Sequence, residues 1–160
     1  MRRWKPVAIA AAAALAVAVL GGLSTDIGSW YRGLTKPSWQ PPDVLFGPVW
    51  TTIYALAAIA AARAWERAPR RADREWLIAL FTLNGFVNVL WSLLFFRLHR
   101  PDWALAEVGV LWLSIALLIV VLRRHSRFSA WLLAPYLLWV TFAAALNAEV
   151  VRLNGPFGAG

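Results

Sequence analysis

The chain is 160 residues long, 61% hydrophobic and only 15% charged, with 11 Trp, no Cys and a formal net charge of +8. A soluble domain is roughly a quarter charged, so an ordinary water-soluble enzyme is excluded; without cysteine so are a disulfide framework, a thiolate nucleophile and a sulfur-ligated metal. The positive charge sits in short segments between uncharged runs, which argues against nucleic acid and for a polytopic membrane protein in contact with lipid.

The first predicted span covers 6–23, an alanine-rich run after MRRWK. Its start is similar to a secretory signal with Ala16-Val17-Ala18 as a cleavage site. The apolar run continues through Leu23, however, so a retained helix is expected. Residues 24–43 form a long connection holding LTKPSWQPP, in which Pro37, Pro41 and Pro42 surround Trp39. Each proline fixes its own φ near −65° and drives the preceding residue into extended geometry. A semi-rigid segment that carries Trp39 over the bundle is therefore expected; a stiff interfacial turn and a lid over a pocket both fit.

The second span, 44–64, repeats Phe46, Trp50 and Tyr54 every four residues and tolerates Pro48 in its first turns. A charged connection, 63–75, reads as a solvated turn. On the third span, 75–97, Asn84, Asn88, Trp91 and Phe95 fall on one helix face. The fourth, 103–122, follows RLHRPD, and Glu107 near its start is expected to snorkel or to pair with an arginine. The fifth, 128–151, follows RRHSR and aligns Tyr136, Trp139, Ala143, Leu146 and Asn147 on one face. The expected fold is thus an all-α, single-domain bundle of five membrane helices with a structured loop after the first.

An unpaired amide in hydrocarbon costs several kcal/mol, so Asn84, Asn88 and Asn147 should point into the bundle. Asparagines acting as interhelical glue with aromatics filling the core, and an internal pocket for a flat ligand, both account for the striped faces. Trp4, Trp65, Trp76 and Trp131, each at a span end, read as an interfacial belt. His99 and His125 lack partners at ligand spacing, so no metal site is expected; Ser92 and Ser114 lack a base, so no catalytic residue is assigned. With five spans, one side carries eleven Lys/Arg (Arg2, Arg3, Lys5, Arg63, Arg67, Arg70, Arg71, Arg74, Arg123, Arg124, Arg127) and the other carries five (Arg32, Lys36, Arg97, Arg100, Arg152). The positive-inside rule then puts the N terminus in the cytoplasm and the C terminus outside.

WYRGLTKPSWQPP (30–42), FGPVWTTIY (46–54), NVLWSLLFF (88–96) and PYLLWVTFAAALN (135–147) together resemble the tryptophan-rich sensory protein family, which includes the mitochondrial translocator protein. The resemblance runs in order over nearly the whole chain. It implies a five-helix bundle, usually a homodimer, with a pocket under the first loop that binds porphyrins, notably protoporphyrin IX. No cofactor is required; porphyrin is the ligand. Carried over by position, the pocket would use Trp39, Trp50, Tyr54, Asn88, Trp91, Phe95, Trp103, Trp139, Ala143 and Leu146, beside Asn84 and Asn147 of the striped faces. The lid would hold Trp30, Arg32, Lys36, Pro37, Pro41 and Pro42, with Arg32 or Lys36 meeting the propionates.

Two departures stand out. The family usually has Gln where this chain has Asn84, one methylene shorter. The animal cholesterol motif needs a Tyr after the fifth-helix asparagine; Ala148 and Glu149 stand there instead, which argues against tight cholesterol binding. The resemblance implies a sensory, regulatory or stress role in tetrapyrrole metabolism. Light- and oxygen-dependent porphyrin degradation is the alternative, and transport of porphyrin or sterol-like molecules is a second one. The bacterial inner membrane is the expected location; the outer membrane is the alternative, since a family member has been placed there.

Overall fold

The computed structural model describes residues 4–158, and among these no strand occurs. The helices are α1 (Trp4–Ser24), α2 (Ser29–Gly33), α3 (Phe46–Arg67), α4 (Arg71–Ser92), α5 (Pro101–His125), α6 (Arg127–Leu132) and α7 (Ala134–Asn154). A 3-10 turn, Asp43–Leu45, leads into α3, and α4 runs on into a π-helical turn, Leu93–Arg97. Five segments are long and apolar enough to cross a membrane: Trp4–Ser24, Asp43–Arg67, Arg71–Arg97, Pro101–His125 and Arg127–Asn154.

Local chemistry explains the starts of α5 and α6. Pro101 opens α5, where its missing N–H costs nothing, and Asp102 in the first turn complements the helix dipole. Ser126 caps α6, accepting a hydrogen bond from the Ser129 backbone N–H at 3.1 Å. The expected spans differ from the observed ones at their ends. α5 begins at Pro101 rather than 103, the fifth span breaks at Leu133 into α6 and α7, and the first loop holds the short helix α2.

Around the bundle, α1 packs on α3 and α4, α5 packs on α4 and α7, and α6 closes against α3 and α5. The dry core lies between α5 and its neighbours, with Leu111, Ile115, Leu118, Leu122, Leu133 and Val140 fully buried. α1 and α4 approach closely at Gly85, where a Cβ would stand 2.8 Å from Val17 Cγ2. Glu107 departs from the sequence expectation. Spacings of three and four residues put Glu107 on the inward face of α5 with Ala104 and Leu111, and both its carboxylate oxygens are buried without a partner among the described residues.

Candidate ligand-binding site

Toward the loop end, α3 and α7 face each other through aromatic rings rather than backbone. Phe46 meets Trp139 edge-on at 5.6 Å, and Trp50 meets Tyr136 edge-on at 6.0 Å. Rings of this size hold the helices apart, and between them, α1 and α4 lies a cavity of about 410 Å³. That is within the roughly 300–1,000 Å³ common for small-molecule sites. Its walls include Trp50, Tyr54, Trp91, Phe95, Trp139, Ala143, Leu146 and Asn147, all named by the sequence pattern. Trp50 stacks on Tyr54 at 5.5 Å and Trp91 tilts on Phe95 at 5.4 Å, so the walls are paired rings.

Polar groups fix those rings. Trp91 Nε1 donates to Asn147 Oδ1 at 3.1 Å, and Asn147 Nδ2 donates to the Pro101 carbonyl at 2.8 Å. Trp139 Nε1 is different: it is buried in the wall, and among the described residues no acceptor reaches it. A buried N–H left without an acceptor costs about 1–3 kcal/mol.

From Tyr54 in the cavity wall, a directed chain of hydrogen bonds runs on beneath the cavity across four helices. Tyr54 Oη donates to Asn88 Oδ1 at 2.7 Å, and Asn88 Nδ2 donates to Tyr136 Oη at 3.0 Å. Tyr136 Oη donates to Asn84 Oδ1 at 3.2 Å, and Asn84 Nδ2 donates to Ser114 Oγ at 2.9 Å. Ser114 Oγ finally donates to the Leu111 carbonyl at 2.7 Å. Asn84 and Asn88 therefore lie outside the pocket lining, with their amides engaged between helices. The shorter Asn84 still bridges Tyr136 and Ser114.

The loop is tied down at several points. Trp30 stacks on His99 at 4.2 Å and meets Phe95 edge-on at 6.1 Å, which fixes α2 to the turn before α5. Tyr31 Oη donates to Asp43 Oδ1 at 2.9 Å, and Gln40 Nε2 donates to the same oxygen at 3.0 Å. Burial, then the Asp43 bond, pushes the Tyr31 phenol up from its ordinary 10.0 to about 12. Asn154 at the end of α7 clamps Thr35, accepting from its N–H at 2.7 Å and donating to its carbonyl at 2.8 Å.

Trp39 is 47% exposed and rests edge-on against Phe142 rather than in the lining. Trp103 is 53% exposed at the start of α5, with the Arg100 guanidinium 4.2 Å over its ring. Of the lid residues, Pro37 is buried, Pro41 half-buried, and Arg32 and Pro42 exposed. Lys36 lies 4.1 Å over the Tyr31 ring at the mouth.

The lining also holds Tyr31, Gln40 and Asp43 from the loop, Gly21 and Thr25 from the end of α1, and Phe96. Helical spacing carries no signal for loop residues. Phe95 and Phe96 both reach the cavity because the π turn widens the helix there. Among the described residues, Asp43 is the one charged side chain in this lining. Among the described residues, no group of three or more His, Cys, Asp or Glu is placed to hold a metal.

A family model described as the TspO/MBR family matches residues 8–153. A tryptophan-rich protein TspO from Archaeoglobus fulgidus is 40% identical, covering 89% of this chain and 92% of the relative. A tryptophan-rich sensory protein from Cereibacter sphaeroides is 35% identical over 78% of this chain and 77% of its own. The human translocator protein is 33% identical over 78% of this chain and 75% of its own.

Proposed function

The chain belongs to the TspO/MBR family, and from that premise we propose that this integral multi-pass membrane protein captures a porphyrin or related tetrapyrrole and serves a sensory role in tetrapyrrole metabolism. One observation carries the reading: a cavity of about 410 Å³ walled by paired aromatic rings, with a tied-down loop at its mouth. A flat macrocycle gains most from rings it can stack on or meet edge-on.

The charge pattern sets the orientation. Among the described residues the lining holds no cation, so propionates belong outside the cavity, where Lys36 stands over Tyr31. Porphyrin added to the protein in detergent is expected to quench intrinsic tryptophan fluorescence saturably. Trp50→Phe and Trp139→Phe should each weaken binding several-fold, on the order of 1 kcal/mol for one wall of the stack. Equal affinity in both variants and the parent would remove this cavity as the site.

A further inference from the structure

A second cavity, of about 710 Å³, lies on the far side of the Tyr54–Asn88–Tyr136 chain, between α1, α3 and α4. Its rim carries exposed apolar side chains from α1 and α4, including Ile9 at 69% and Phe86 at 65% exposure, so it opens sideways on the lipid-facing surface. The space exists because Ala14, Ala58 and Ala61 stand where larger side chains would close it. An apolar void left empty forfeits the dispersion contacts of its lining, and water gains nothing there.

From this geometry we propose that the trough holds one acyl chain of an anionic phospholipid from the leaflet on the N-terminal side. The depth fits: from Trp65 to Tyr54 along α3, and from Leu77 to Val89 along α4, the wall is about 16–18 Å long at 1.5 Å per residue. That is close to the hydrocarbon depth of one leaflet, half of roughly 30 Å. The trough ends at Tyr54, Asn84 and Tyr136, whose polar atoms are engaged with each other or with neighbours. Its other end is basic. Among the described residues Lys5 is the only charged side chain in the lining, and the Arg74 guanidinium lies 5.5 Å over the ring of Trp65, another lining residue. In sequence this side also holds Arg2, Arg3, Arg63, Arg67, Arg70 and Arg71, against three acids, Glu66, Asp73 and Glu75. A phosphate headgroup bearing net negative charge complements that end; a zwitterionic one does so less.

The test is native mass spectrometry of the full chain released from detergent after equilibration with dioleoyl phosphatidylglycerol or dioleoyl phosphatidylcholine. One phosphatidylglycerol per chain is expected to survive, retained about tenfold better than phosphatidylcholine. Ala14→Leu with Ala61→Leu fills the trough and should lose both lipids, while Lys5→Gln should lose only the preference for phosphatidylglycerol. Absence of retained lipid, or retention indifferent to the filled trough, overturns the proposal. So does a dimer that the filled variant breaks without releasing lipid, which would make a second copy the occupant. Should the double variant fail to fold, Lys5→Gln at the exposed rim still decides, because unchanged headgroup selectivity contradicts the basic end.

Discussion

Asp43 carries the wrong sign for the propionate edge of a porphyrin, yet it stands in the pocket lining and organises the mouth. Asn at this position keeps an acceptor for Tyr31 and Gln40 while removing the charge. Asp43→Asn is therefore expected to tighten protoporphyrin IX about threefold, as suits one charge at a solvated mouth. Binding of its dimethyl ester should be unchanged; equal shifts for acid and ester would show a loosened loop instead. The phenol it accepts from adds a pH limit. With its pKa raised from 10.0 to about 12, Tyr31 favours the folded state while neutral, so its contribution is complete below pH 10 and is lost as pH rises toward 12. Ligand retention should hold through neutral pH and fall in that alkaline window, whereas Tyr31→Phe should show no such fall. None of this was legible in the sequence, because Tyr31, Gln40 and Asp43 share no helical spacing and converge only through the path of the loop.

At the scale of the helix, periodicity told which face each residue takes and not how deep it sits. Trp50, Trp91 and Trp139 reach one cavity, as their spacing implied, but Asn84 and Asn88 lie beneath it as links between α3, α4, α5 and α7. Asparagine links between helices and an aromatic-walled cavity thus occur together, one below the other. Removing the middle link tests the lower layer. Asn88→Ala leaves Tyr54 without its acceptor and Tyr136 without its donor. Helices unfolded within a membrane or micelle still find other partners, so the cost should be about 1–2 kcal/mol rather than the larger value of a soluble core. Thermal unfolding in detergent, followed by near-ultraviolet circular dichroism, reads it; a loss below experimental error would mean that the chain does not tie the helices. The π turn at Leu93–Arg97 was illegible, since Leu-Leu-Phe-Phe fits an α-helix equally well.

For the whole molecule, the five spans were legible because bilayer thickness fixes how many apolar residues a helix needs. The closing of the loop was only half legible. The prolines announced stiffness, but its anchors, Trp30 on His99 and Asn154 on Thr35, join residues far apart in the chain. Asn154→Ala removes the clamp at the end of α7 and should speed porphyrin release severalfold with little change in unfolding temperature, as stopped-flow displacement would show. Unchanged release would make the loop a bystander. Tyr54, meanwhile, forms a wall of both cavities. Two occupants that press on one side chain obey reciprocity: any factor by which the lower one alters the affinity of the upper is returned in full. Were the trough to hold the proposed lipid, the make-up of the surrounding bilayer would, through that shared ring, become a variable in every titration of the pocket.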